Sequence, residues 1–278
     1  MTVANTTLRP IDLVATDLDG TFLSTDSALI QANIDAMTRA NAEGVRVVFA
    51  TGRPSRFIDP LLSLDFLEPL VISCNGGMIT NLSGDDVIKH YPCDPDATIS
   101  AFNDLRRHIP DLLVGAEYLD GWGRTPGFPE FAEFVNPTIE GDIPDLIAHA
   151  DVVKIMVKSY SHKTPDLGRI ASQVVGDRLT CTYSFPDHEG MIELTAAGVT
   201  KGTALDHLLA SFAIDPCRVA AFGDMPNDAD MLAKVGYPFV MAGAHPQLHE
   251  IGFPVAGNND DGAVGLALDE LLNRGGQR

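Results

Sequence analysis

V-A-T-D-L-D-G-T-F-L, Val14 to Leu23, is the stretch on which the reading of this chain turns. Its approach is apolar, with Ile11, Leu13, Val14 and Ala15, the composition of a strand buried on both faces of a parallel sheet. Two acids one residue apart, Asp17 and Asp19, end the run, and Gly20 lets the chain turn away. Ligands of open parallel sheets bind outside the carboxyl ends of the strands, so a carboxylate pair placed there suits chemistry better than packing. Asp-x-Asp-Gly is also ordinary turn chemistry, and the two readings part on whether companion motifs follow.

They follow in order. Residues 27–43 carry Ile30, Ile34, Met37 and Ala40 at helical spacing and stop at Gly44. The β-branched run 45–50 then predicts a second buried strand, so strand, helix and strand form a parallel βαβ unit. That strand ends in Thr51-Gly52-Arg53-Pro54, which brings a hydroxyl and a free backbone N–H to a neighbouring carboxyl end. A third strand, 70–73, runs into the turn Cys74-Asn75-Gly76-Gly77.

From about Gly84 the texture changes to short strand-like pieces (87–91, 112–118, 152–157, 179–185) alternating with helical ones (96–108, 166–175). A turn-rich tract at 120–137 holds the single tryptophan, Trp122. The βα rhythm resumes at Met191. The expected architecture is α/β, a Rossmann-like parallel-sheet core of residues 1–84 and 190–278 with an inserted α+β cap of residues 85–189.

In the closing part Thr200 caps a helix that begins at Lys201 and buries Leu205, Leu208, Leu209 and Phe212. A lysine in a first turn opposes the helix dipole and is costly unless an anion lies near it. A strand at 218–222 runs into Gly223-Asp224-Met225-Pro226-Asn227-Asp228, again a glycine turn with acids at a strand's carboxyl end. Asp230 is read as a helix-start acid.

Composition narrows the function. With 45% hydrophobic residues in 278, the chain can bury a sizeable core. No apolar run is long enough for a bilayer, and residues 1–7 lack the basic and apolar regions of a signal peptide, so a cytoplasmic location is expected. A formal charge of −19 argues against nucleic acid or an anionic membrane as partner. An anionic substrate would need local positive charge from a lysine, a metal and helix N-termini. Cys74, Cys93, Cys181 and Cys217 have no paired spacing and read as reduced, mostly buried small hydrophobes. Rival motifs fail: an EF-hand counted from Asp17 would need Gly at Phe22 and Glu at Ala28, and Gly198-Val-Thr-Lys-Gly-Thr has the wrong order for a P-loop.

Asp17-Leu-Asp-Gly-Thr21, Thr51-Gly52-Arg53, Lys201 and Gly223-Asp-Met-Pro-Asn-Asp228, in that order, resemble the haloacid dehalogenase-like (HAD) superfamily of phosphatases. The insertion and the strings C-N-G-G, V-T-K-G-T-A-L and M-A-G-A resemble its Cof-type (IIB) branch. The resemblance implies a Mg²⁺-dependent phosphatase of small phosphorylated metabolites, sugar phosphates foremost, working through an aspartyl-phosphate. It implies Asp17 as nucleophile and Asp19 as general acid and base. Oxygen-only ligands favour a hard cation such as Mg²⁺. By resemblance these are the Asp17 carboxylate, the Asp19 carbonyl and Asp224, with Asp228 at one remove. Thr51, the Gly52 N–H, Lys201 and Asn227 would hold the phosphoryl oxygens, with the Leu18 N–H as a further donor. A phosphomutase or phosphotransferase on the same core, or a non-catalytic regulatory protein, are the alternatives. Specificity is expected between about Gly84 and Gly190, with Glu117, Tyr118, Trp122, Arg124 and His188 as candidate contacts.

Overall fold

A computed structural model describes residues 11–65, 70–81, 86–130 and 136–275. The chain opens with β1 (Leu13–Thr16), α1 (Gln31–Ala42), β2 (Arg46–Ala50) and β3 (Leu70–Ser73). A hairpin adds β4 (Met78–Asn81) and β5 (Val87–His90), and α2 (Pro95–His108) leads into β6 (Leu113–Glu117), β7 (Trp122–Arg124) and β8 (Ile139–Glu140). Then come α3 (Ile143–His149), β9 (Lys154–Lys158), α4 (Thr164–Val175), β10 (Leu179–Thr182) and β11 (Met191–Ala196). The last part is α5 (Lys201–Phe212), β12 (Val219–Gly223), α6 (Ala229–Lys234), β13 (Tyr237–Met241), α7 (Pro246–Ile251), β14 (Val255–Gly257) and α8 (Ala263–Gly275).

The first sheet has the order β14-β13-β12-β1-β2-β3-β4-β5, parallel from β14 to β3 and antiparallel in the β3-β4-β5 meander. β1 lies at its centre, with all four residues buried and β2 and β12 on either side. From β1 the chain steps to β2 on one side and later returns to β12 on the other, so the crevice beyond Thr16 is a topological switch point. One face packs Val14, Val47 and Phe222 with Met37 of α1 and Leu268 of α8; the other packs Ala15, Val48 and Ala221 with Leu205 of α5. No helix among the described residues is long and apolar enough to cross a membrane.

The second sheet has the order β10-β11-β9-β6-β7-β8, antiparallel except for β7-β8. Ile155 and Val157 of β9 and Ile192 and Leu194 of β11 point to one face, where they pack with Phe102 of α2, Ile143 of α3 and Leu167 of α4. The residues between them, Lys154, Met156, Glu193 and Thr195, take the other face.

Two expected boundaries move. Residues 87–90 pair with β4 in the first sheet, and residues 191–196, read from sequence as the return of the core, pair with β9 and β10 in the second. Apolar alternation shows that a segment is a strand but not which sheet takes it. The chain thus passes between sheets after His90 and after Ala196. All four cysteines are free, with Cys74 and Cys93 buried and Cys217 exposed.

Candidate active site

The site forms where β1, β2 and β12 end. Asp17 is tied to β12 by its backbone N–H, which donates to Phe222 O at 3.0 Å. Leu18 to Phe22 then make a tight turn closed by Leu23 N–H to Leu18 O at 2.9 Å. Gly20 at φ +74° is required there, since a Cβ would lie 2.4 Å from Asp224 Oδ2. The same turn supplies Thr21, whose hydroxyl donates to Asp224 Oδ1 at 3.0 Å.

Lys201 reaches this point from the first turn of α5, which Thr200 starts by accepting the Thr203 N–H at 3.0 Å. Its ammonium donates to Asp17 Oδ1 at 2.5 Å and to Asp228 Oδ1 at 2.7 Å, which resolves its position at the dipole's unfavourable end. Lys201 is fully buried and meets these carboxylates rather than the open cavity. The other oxygen of Asp228 accepts the N–H groups of Asp224 and Met225, both at 3.1 Å, so protein donors hold both oxygens of this carboxylate. Asp230 reaches back to the Thr200 hydroxyl.

Asp17, Asp224 and Asp228 each offer a carboxylate oxygen, and these oxygens lie within 4.8 Å of one another. Burial pushes Asp17 well above the usual carboxylate range despite Lys201, and the charges of Asp228, Asp224 and Asp19 add to the shift. Asp224 is pushed up to about 7, by burial first and by Asp228 second. Burial alone would lower Lys201, yet the two carboxylates it touches carry it above the ordinary lysine value. Crowded acids whose burial and mutual repulsion raise Asp17 and Asp224, with oxygen the sole donor type, are a set that a hard divalent cation would relieve.

Asp19 faces outward, and Arg53 grips its carboxylate along one guanidinium edge, Nε to Oδ2 at 2.7 Å and Nη2 to Oδ1 at 2.5 Å, while Nη1 donates to Phe57 O at 3.1 Å. Thr51 is buried and its Oγ1 accepts the Arg53 N–H at 3.0 Å, so its own hydrogen remains to be donated. Asn227 donates to Asn75 Oδ1 at 2.9 Å. A cavity of about 290 Å³ lies over these groups, with Asp17, Asp19, Gly52, Arg53 and Asn227 on its first-sheet side.

Its other wall corrects the expectation. Lys154, Met156, Ser184, Phe185 and Glu193 line it, whereas Glu117, Tyr118, Trp122, Arg124 and His188 do not. Glu117 is fully buried against Arg56 (2.6 and 2.9 Å), Tyr118 bonds Leu146 O, and Trp122 packs on Phe128. Arg124 pairs with Glu130 and Glu140, and His188 points outward. Glu193 also lies beyond the range expected to hold specificity. The alternation K-I-M-V-K and M-I-E-L-T, charged on one strand face, is the sequence signal that could have found this wall.

Residues 14–268 match the family described as haloacid dehalogenase-like hydrolase. The chain belongs to that family. It is a phosphatase. An HMP-PP phosphatase of Enterobacter sp. (strain 638) is 30% identical to this HAD protein, over 94% of this chain and 96% of its own. Among solved structures, SMU.1108c from Streptococcus mutans UA159 matches with a TM-score of 0.80 at 20% identity, over 95% of this chain and 99% of its own. The HAD subclass IIB sugar phosphatase BT4131 matches with 0.77 at 19% identity, over 93% and 98%.

Proposed function

We propose that this HAD phosphatase is a Mg²⁺-dependent phosphomonoester hydrolase of small soluble metabolites, with sugar phosphates as the leading class. The observation that carries the reading is the convergence of Asp17, Asp224 and Asp228 on Lys201 at the switch point of the sheet. Relatives named HMP-PP phosphatase and sugar phosphatase support the class of reaction.

A phosphomonoester dianion repels nucleophiles, so charge must be neutralised before an oxygen can attack in line. Asp17, Asp224 and the Asp19 carbonyl would hold Mg²⁺, which when bound would supply that neutralisation. Asp17 attacks phosphorus, and the ester oxygen leaves with a proton from Asp19. Water then attacks the aspartyl-phosphate, gives its proton to Asp19, and releases phosphate with Asp17 restored. Lys201 sets the direction of Asp17, and Asp228 holds Lys201. Thr51 Oγ–H and the backbone N–H groups of Leu18 and Gly52 are the donors offered to the phosphoryl oxygens, with Asn227 beside them. An entering dianion also competes with Asp19 for the Arg53 guanidinium, which frees an Asp19 oxygen to face the ester.

The test is phosphate release from a panel of sugar phosphates, nucleotides and phosphorylated cofactors with and without Mg²⁺. Mg²⁺-stimulated release that Asp17→Asn abolishes is the expected result. No stimulated release from any member, or normal turnover by Asp17→Asn, overturns the reading.

A further inference from the structure

We propose that Lys154, carried by the second sheet, is a positioning residue for the proton-transferring carboxylate of Asp19, acting through the peptide between Gly52 and Arg53. The proposal rests on the hydrolase reading above.

Lys154 sits on the central strand β9, opposite Glu117 of β6 and diagonal to Glu193 of β11. Arg56 takes Glu117, so Lys154 pairs with Glu193, Nζ to Oε1 at 2.8 Å, and Ser184 holds the other Glu193 oxygen at 2.8 Å. Burial opposes both charges. Yet the Lys154 ammonium keeps Glu193 below the usual glutamate range, and Glu193 keeps Lys154 above the usual lysine range. A buried pair of this kind contributes little to stability compared with apolar residues of the same size, so its contacts are where a role is to be sought.

The decisive contact leaves the second sheet. Lys154 Nζ also donates to the carbonyl of Gly52 in the first-sheet loop, at 2.8 Å. The N–H of that same peptide, on Arg53, donates to Thr51 Oγ1 at 3.0 Å. One peptide plane is thus fixed at both ends, by residues from different sheets, directly after a glycine whose backbone would otherwise rotate freely. The Arg53 side chain starts on this plane and ends on Asp19. Seating the second sheet on the loop therefore fixes the backbone from which the guanidinium departs, while Asp19 and Phe57 O, the latter at 3.1 Å from Nη1, hold its far end.

The double variant Lys154→Met with Glu193→Gln removes the contact without stranding a buried charge. It is compared with wild type by kcat/KM, with Mg²⁺, on substituted phenyl phosphates from 4-nitrophenyl to 4-methoxyphenyl, whose leaving groups differ in their need for a proton. A misplaced general acid costs about tenfold or more on the 4-methoxyphenyl ester and less than about threefold on the 4-nitrophenyl ester. Arg53→Ala, at the exposed end of the same relay, should give the same steepened dependence. Equal loss across the series, no loss, or an unchanged slope in Arg53→Ala overturns the proposal. A wild type that releases phosphate with Mg²⁺ neither from this series nor from the metabolite panel above would instead overturn the hydrolase reading.

Discussion

The Lys201 ammonium lies 2.5 Å from Asp17 Oδ1, and both side chains are buried. The lysine belongs to α5 and the aspartate to the end of β1, 184 residues apart, so the contact exists only once α5 has packed on the sheet.

Replacing that lysine should show what it offsets. Lys201→Met leaves Asp17 and Asp228 facing each other without a cation, and stranding a buried charge costs about 3–5 kcal/mol. Urea unfolding without Mg²⁺ should show this loss most fully toward alkaline pH and a smaller one toward acid pH, where Asp17, raised by its burial, takes up a proton instead. Phosphatase activity should fall to background at both.

The crowding of acids gives the metal-free protein an unusual pH response. Asp224 is pushed up to about 7, so the folded state binds a proton more tightly than the unfolded chain does. The resulting stabilisation is complete below the ordinary carboxylate range and is lost as pH rises through about 7. In chelator this group therefore lowers the melting temperature between pH 5 and 8. Mg²⁺ competes with that proton, so the rise in melting temperature on adding Mg²⁺ should be larger at about pH 7.5 than at about pH 5.5. An equal rise at both values contradicts the assignment of Asp224 as a ligand.

Gly20→Ala should damage both stability and metal affinity. The left-handed backbone at φ +74° costs a residue with a Cβ about 1–2 kcal/mol. The added carbon would also displace Asp224, whose Oδ2 lies 2.4 Å from where it must go. The Mg²⁺ concentration for half-activation should rise by about tenfold or more, the equivalent of about 1.4 kcal/mol. Calorimetric titration of Mg²⁺ checks this independently of turnover.

Selectivity should respond to the wall that lines the cavity. Phe185 is half-buried there, and truncating a ring that packs on a substrate removes about 1.5–3 kcal/mol of burial. Phe185→Ala should raise KM for the preferred substrate by about tenfold or more, with little change in kcat. His188→Ala, outside the cavity and exposed, should leave both constants unchanged.

Several of these expectations were open to the sequence and others were not. The end of β1, the Thr51 turn, the Thr200 cap and the Gly223 turn are each written in contiguous residues, because turn and capping chemistry is local. Residues 191–196 were legible as a strand but not as a member of the second sheet, since pairing partners are set by distant chain. The expected contacts Tyr118 and Trp122 bury their rings instead, because an aromatic side chain in a small sheet-and-helix layer is worth more as core than as wall.

The order of its motifs by itself determined that this chain places acids, a hydroxyl turn and a lysine at the carboxyl edge of one parallel sheet. Strand polarity follows from the βα alternation, and it sends each of those turns to the same edge. The tertiary structure alone decided that Lys201 spans Asp17 and Asp228, that Arg53 grips Asp19, and that Lys154 and Glu193 close the cavity from the second sheet. The reason is physical: which face of a strand looks inward depends on its register and on what docks against it, and neither is contained in the strand's own residues.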